Sequence, residues 1–346
     1  MLTKKTFQHL LTRTPRILTL CVILMLLLTN LFLYILDEFP STSTIKLDKT
    51  KKNFTDVSLE ESERRSGRNL LKENCRTRSE ASMTPLSQVL RNLVVIDRYK
   101  VLYCRAGKTG SWTTLQLLYN LELNTNISRH EVRKLALEKP LPVLSDFSEK
   151  DIQLRLATYK KFLVARNPLE RMASVWSGFF ATYPWFGWNE KYQSMMETIC
   201  PNTTAKKVVC DRVTEIKGIG NQTHQLVPFR AFAKAVAAAG NITKFSNPHW
   251  TPINKICSPC LLQYDFVAHT ESLAEDLRTF FQIVGVAEKN NIFPQKRTRI
   301  GDKMLLEVFK KVPIEDIYRI GERYKDEYAF FGYSFEDDLQ KLIHVG

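Results

Sequence analysis

The chain has 346 residues and a net charge of +14, from 50 Lys and Arg against 36 Asp and Glu. An apolar fraction of 44% excludes a disordered or fibrous chain, and the length leaves room for one large or two ordinary domains. So basic a chain points to a polyanionic partner: nucleic acid, a membrane surface or an acidic polysaccharide.

The N-terminus separates these options. Ile17 to Leu36 is an uncharged apolar run long enough to cross a bilayer as a helix. Lys4, Lys5, Arg13 and Arg16 precede it, and Asp37 and Glu38 follow. By the positive-inside rule, residues 1–16 are a cytoplasmic tail, 17–36 an uncleaved transmembrane anchor, and the rest lumenal. A cleavable signal peptide is the rival reading, but Leu36-Asp37-Glu38-Phe39 is a poor cleavage site. Residues 37–80 are rich in Ser, Thr, Lys, Glu and Arg with no periodic apolar face, and read as a solvated stem before a lumenal domain at 81–346. A lumenal location argues against nucleic acid as the partner.

Sequons at Asn53, Asn126, Asn202, Asn221 and Asn241 fit that side of the membrane. So do Cys75, Cys104, Cys200, Cys210, Cys257 and Cys260, an even set that suggests disulfides. Cys200 with Cys210 closes a local loop. Cys257-Ser-Pro-Cys260 reads either as one disulfide or as two cysteines that pair elsewhere. Together with His249 it offers only three zinc ligands at unusual spacing, so no metal is expected.

Lys100 to Leu121 organises the domain. Val101-Leu102-Tyr103-Cys104 is short and apolar, as a buried strand is. Arg105-Ala106-Gly107-Lys108-Thr109-Gly110-Ser111 turns, and a helix follows with Leu115, Leu118 and Tyr119 on one face. The free N–H groups and positive dipole end of that helix, with Lys108 and the hydroxyls of Ser111, Thr113 and Thr114, make an anion cradle. It is not the standard P-loop, because Leu102 stands where the first glycine of that motif belongs. The plainer alternative is an ordinary strand–helix turn with a surface lysine.

Beyond it, Asn124 to Leu144 is polar and bounded by Pro140 and Pro142, and Phe147 to Tyr159 is a helix capped by Ser148 with Ile152, Leu156 and Tyr159 inward. Phe162 to Ala165 is a second buried strand. Arg166 ends it, Pro168 opens a helix, and Ser174 lies two turns in. A guanidinium and a hydroxyl so placed close on one phosphate; a structural salt bridge and a helix filler are the alternative. Two strand–basic loop–helix units suit an open parallel sheet, which binds ligands at its carboxyl ends. Farther on, Tyr183 to Trp188 is aromatic and suits either a sugar site or packing. Val227 to Ala239 is a helix, Tyr264 to Ala268 a strand, and Thr270 to Val284 a helix. Asn291 to Asp302 is a basic loop, and Ile314 to Phe330 is a final amphipathic helix.

Three blocks resemble one family. These are Cys104 to Ser111, Lys161 to Ser174 (KFLVARNPLERMAS), and His249-Trp250-Thr251-Pro252 through Cys257-Ser-Pro-Cys260 to Tyr264-Asp265-Phe266-Val267. The chain resembles the Golgi carbohydrate sulfotransferases, in particular the chondroitin and dermatan 4-O-sulfotransferases and the glucuronic-acid 3-O-sulfotransferase of neural glycans. The resemblance runs from near residue 90 to near 335. It implies an α/β fold of P-loop-like sulfotransferase architecture: a central parallel sheet of four or five strands with helices on both faces. It implies 3′-phosphoadenosine-5′-phosphosulfate as donor. The phosphosulfate loop would use Arg105, Gly107, Lys108, Thr109, Gly110, Ser111, Trp112 and Thr113, and the 3′-phosphate would meet Arg166 and Ser174. The acceptor would be a glycosaminoglycan or glycoprotein glycan, most simply the 4-position of N-acetylgalactosamine in chondroitin or dermatan. Gly107 stands where the family usually has proline, and Asn167 where it has an acidic residue.

Sulfuryl transfer builds negative charge on the bridging oxygen, which a lysine stabilises, and the acceptor hydroxyl needs a base. Lys108 takes the first role. Of His130, His224, His249, His269 and His344, His249 stands in the family block and takes the second, with a buried structural role as its rival. The same residues also suit sulfation of a glucuronic-acid-terminated glycan, a membrane-anchored glycan-binding protein without catalysis, and, from charge alone, nucleic-acid binding.

Overall fold

Short, mostly apolar and buried runs form the strands of the main sheet, and alternation along each run decides which side chains meet which helices. The computed structural model describes residues 67–76, 84–181, 199, 214–217, 223–238, 247–286, 292–295 and 301–343. The expected anchor, Cys200 and Cys210, the Tyr183–Trp188 run, half of the 291–302 loop and every sequon but Asn126 lie outside these residues. Among the described residues no helix is long and apolar enough to cross a membrane.

Helix α1 (Arg68–Cys75) and a single turn, α2 (Leu86–Val89), precede strands β1 (Leu93–Ile96) and β2 (Val101–Cys104). Helices α3 (Ser111–Leu123), α4 (Arg129–Glu138) and α5 (Glu149–Thr158) lead to β3 (Lys160–Ala165) and α6 (Pro168–Phe179). A hairpin, β4 (Thr214–Lys217) with β5 (Thr223–Leu226), comes before α7 (Phe229–Ala238). The short helices α8 (Ile253–Cys257) and α9 (Pro259–Leu262) then reach β6 (Phe266–His269) and α10 (Leu273–Ile283). Helices α11 (Gly301–Phe309), α12 (Ile314–Phe331) and α13 (Phe335–Ile343) finish the domain.

The sheet runs β1-β2-β3-β6. β2, β3 and β6 are parallel, as expected, but β1 is antiparallel to β2, so the sheet is mixed rather than all parallel. Only Asp97 to Lys100 separates β1 from β2, far too little chain for a parallel crossover. One face of the sheet presents Tyr103, Phe162, Val164 and Phe266 to Leu118 of α3 and Leu277 and Phe280 of α10. The other presents Leu102, Leu163 and Val267 to Leu71 of α1, Ile253 of α8 and Phe330 of α12. A further cluster gathers α6, α7, α11, α12 and α13 around Trp250.

Ser148 caps α5 by accepting from the Asp151 amide, as read from the sequence. Residues 124–144, read there as polar connection, contain α4, which a reciprocal Ser128–Glu131 capping box starts. The segment read as stem contains α1, whose Leu71 is buried and whose Asn74 Nδ2 donates to Ala329 O at 3.0 Å. The two cysteines of the CSPC motif pair elsewhere: Cys260 with Cys75 and Cys257 with Cys104. The first bridge fastens α1 to the domain; the second fastens the end of β2 to α8.

Asn167 caps α6, its Oδ1 accepting from Glu170 N at 3.1 Å. Its Nδ2 donates to Asp338 Oδ2 on α13 at 2.6 Å, and the Tyr328 hydroxyl donates to the same oxygen at 3.1 Å. Burial holds the Asp338 carboxyl above its ordinary range. An acidic residue at 167 would set two carboxylates against each other. We expect Asn167→Asp to destabilise the domain at neutral pH by about 1–3 kcal/mol. The folded pair would hold a proton that the unfolded chain releases, so the deficit must shrink as the buffer is acidified toward the carboxylate range. Thermal melts across pH test this, and a deficit independent of pH would sink it.

Candidate active site

Two strands that end side by side set the site. The register pairs Cys104 with Leu163, so the loop after β2 and Arg166 after β3 emerge together. Arg166 Nη1 donates to Lys108 O at 3.2 Å, which ties one loop to the other, and its Nε lies 3.7 Å from Glu170 Oε2. Lys108 and Gly110 both have positive φ, 65° and 73°, which folds the loop into a concavity. Gly110 is also held there by contact, since a Cβ would stand 2.6 Å from Leu273 Cδ2. No side chain caps the first turn of α3, and that turn faces the cleft through Ser111, Trp112 and Thr113. Thr109 turns inward instead. It is buried, and its hydroxyl donates to Ala106 O at 3.0 Å, closing the loop on itself.

Helix α6 supplies the opposite wall. Ser174 and Gly178 line the cleft one turn apart, and Phe179 lines it beside them. The Lys108 ammonium lies 5.3 Å from the Phe179 ring and against Gly178, where any Cβ would fall 2.6 Å from Nζ. The His249 ring meets the same Phe179 ring edge-on at 4.7 Å. His249 also packs against Gly107, where a Cβ would come within 2.8 Å of its Cδ2. Phe179 and Gly107 thus bring Lys108 and His249 to one place, and the missing Cβ of Gly107 makes room for the imidazole.

Asn247 orients that imidazole. Its Oδ1 accepts from His249 N at 2.9 Å and lies 2.7 Å from His249 Nδ1. An oxygen that accepts from a backbone amide has only lone pairs to offer, so Nδ1 carries a proton and, in the neutral ring, Nε2 the lone pair. Trp250, buried against Phe180 and Phe232, anchors the segment, and the Tyr324 hydroxyl donates to Trp250 O.

The cleft has a volume of about 830 Å³. Every expected site residue except Thr109 lines it. Sequence reasoning missed Arg91, Arg129 and Arg133. The last two stand four apart on α4, and that spacing was the available signal once the Ser128 cap is noticed. Arg105 and Arg133 lie 5.4 Å and 5.7 Å from the Trp112 ring. Among the described residues the lining holds six cations and no carboxylate. Burial, and then the charges of Arg166 and Arg129, pulls the Lys108 ammonium down to about 8. The walls fit a nucleotide with several negative charges. No group of three or more residues able to hold a metal occurs among the described residues.

Residues 91–334, from the turn before β1 to the residue before α13, match the profile described as the sulfotransferase family. Human carbohydrate sulfotransferase 9 is 30% identical over 243 residues, covering 67% of this chain and 50% of its own. Carbohydrate sulfotransferase 10 of Pongo abelii is 26% identical over 272 residues, 75% of this chain and 71% of its own. Carbohydrate sulfotransferase 11 of Danio rerio is 26% identical over 284 residues, 79% and 76%. No solved structure matches at a comparable level. The matched stretch holds the loop after β2, the Arg166 motif and the His249 segment, all of which meet at the cleft, and the chain belongs to the sulfotransferase family.

Proposed function

We propose that the chain moves a sulfuryl group from 3′-phosphoadenosine-5′-phosphosulfate to a hydroxyl of a glycan. Membership of the family implies that donor, and the similarity to carbohydrate sulfotransferases supports the glycan. The observation that carries the mechanism is the meeting of Lys108 and His249 on Phe179, inside a cleft lined by cations. Ser111, Thr113 and the first turn of α3 hold the phosphosulfate. Arg166 and Ser174 hold the 3′-phosphate. His249 Nε2 takes the proton of the acceptor hydroxyl as that oxygen bonds to sulfur. The bond from sulfur to the bridging oxygen breaks, and Lys108 meets the charge that develops there.

For the acceptor we propose the 4-position of N-acetylgalactosamine in a chondroitin or dermatan chain. Arg91, Arg129 and Arg133 add positive charge beyond the groups assigned to the donor, which favours an acceptor carrying carboxylates. A glucuronic-acid-terminated glycan meets the same requirement and is the second reading. The cellular setting we propose is a single-pass type II protein of the Golgi membrane with its catalytic domain lumenal. The uncharged run at 17–36, two long-range disulfides and the exposed sequon at Asn126 support it.

Full-length protein incubated with labelled donor and desulfated chondroitin, dermatan, heparosan or glucuronic-acid-terminated glycans should label one acceptor class. Lys108→Ala, Arg166→Ala and His249→Ala should each lower transfer by about a hundredfold or more. Undiminished transfer in Lys108→Ala would mean that the cleft has been misassigned.

The depressed Lys108 gives a separate test. An anionic ligand favours its protonated form, so affinity for the product 3′-phosphoadenosine-5′-phosphate should be full below pH about 8 and fall as pH rises through that value. Titration calorimetry should find this slope in the parent protein and not in Lys108→Met. An equal slope in both would remove Lys108 from the phosphosulfate site.

A further inference from the structure

Arg171 is a charged residue that is only 1% exposed, and it does not line the cleft. It sits on α6, between the cap Asn167 and the cleft residue Ser174. Its guanidinium donates to three backbone carbonyls: Nε to Gly107 O at 3.0 Å, Nη2 to Pro248 O at 3.1 Å and Nη1 to Thr251 O at 2.9 Å. Nη1 also lies 3.5 Å from Glu327 Oε1 on α12, and Glu327 is fully buried. The same Oε1 accepts from the Ile253 amide that opens α8, and the other carboxylate oxygen, Oε2, has no hydrogen-bond partner.

Two of those carbonyls stand immediately before the residues that matter. Gly107 precedes Lys108, and Pro248 precedes His249. We propose that Arg171 is a positioning residue that sets the distance between Lys108 and His249, by holding the backbone of both segments on one rigid fork. This rests on the reading of Lys108 and His249 as the reacting groups.

The chemistry of the fork supports the assignment. A planar guanidinium offers five N–H groups in fixed directions and serves several diverging carbonyls at once; an ammonium on a flexible stem does not. A buried ion pair is a poor way to gain stability, since apolar residues of similar volume commonly do as well or better. The site nonetheless leaves one carboxylate oxygen unpartnered, so its burial calls for a reason other than stability. The carbonyls supply one. Neither the loop after β2 nor the 247–251 segment is joined to the other by a strand ladder, and the guanidinium bonds directly to both. Helix α6 reinforces the arrangement at its far end, where Phe179 touches both Lys108 and His249.

The test compares kcat, donor KM and Tm in the full-length protein for four variants. Arg171→Met alone should lose both stability and activity, which does not distinguish positioning from folding. Arg171→Met with Glu327→Gln removes the uncompensated buried charge but leaves three carbonyls without their donor, so Tm should recover part of the loss seen in Arg171→Met. Its kcat should stay down by about ten- to a hundredfold, with donor KM changed only a few-fold because Arg166 and Ser174 remain. Glu327→Gln keeps all three carbonyl bonds and should keep kcat within about threefold. Arg171→Lys keeps the charge opposite Glu327 but not the fork, and should lose about tenfold or more in kcat even where its Tm is near that of the parent. The proposal is overturned if kcat returns together with Tm in the double variant. It is also overturned if Arg171→Lys is fully active, or if Glu327→Gln loses as much activity as Arg171→Met. Lys108→Ala and His249→Ala run alongside. Activity retained in those two would overturn the reading of the site itself, which separates the two failures.

Discussion

Parallel pairing of β2 with β3 is the constraint on which the site depends. A parallel ladder brings both strands to their carboxyl ends on the same edge, with Cys104 beside Leu163. Whatever follows those strands must therefore share one rim. Here the chain places a basic, glycine-containing loop after one and an arginine followed by a helix after the other. β6 ends on the same edge, and Thr270 just beyond it lines the cleft. The antiparallel β1 extends the sheet on the opposite side of β2 from β3 and leaves the shared rim intact.

The rim is then locked by cross-ties of different chemistry. Arg166 bonds to the Lys108 carbonyl, the Cys104–Cys257 bridge joins the end of β2 to α8, and Arg171 spans the loop, the 247–251 segment and α12. The junction is dry, with Glu327 and Arg171 both buried, and that burial pushes the Glu327 carboxyl up to about 7 despite Arg171 beside it. Such a junction has little freedom to relax. The cleft meanwhile is lined by cations, with Lys108 lowered by desolvation and by its cationic neighbours. A rigid frame around a set of cations suits the polyanionic donor proposed for the site, because little reorganisation would be left for the reaction.

Much of this was legible in the sequence, and the failures have causes. The three parallel strands stood out because they are buried on both faces and read as unbroken apolar runs. β1, Leu93 to Ile96, is an equally apolar run that was not picked out as a strand, and its direction is set by the short turn that follows. Helix α1 escaped notice because it buries a single residue, Leu71, and its docking depends on a partner far along the chain. Lys108 and Arg166 were found by their chemistry, a lysine in a glycine loop and an arginine at a strand end, and His249 by its place in a block that resembles the family. Arg171 was visible only as one more charge in a motif. That it is buried, and that it meets three carbonyls from distant segments, is a property of the folded chain. The cysteine pairing was open for the same reason, since spacing favours the local bridge and only the fold separates Cys257 from Cys260.

That pairing reaches beyond the native contacts. The Cys104–Cys257 and Cys75–Cys260 bridges span 153 and 185 residues of sequence. Closing the first loop removes about 5 kcal/mol of chain entropy from the unfolded ensemble in the simplest polymer treatment. The second adds much less, because its ends are already drawn close by the first. A share of the domain's stability therefore lies in the states it is denied rather than in the contacts it makes. That share follows the redox potential of the surroundings, and a reducing compartment would withdraw it while every hydrogen bond in the cleft stayed in place.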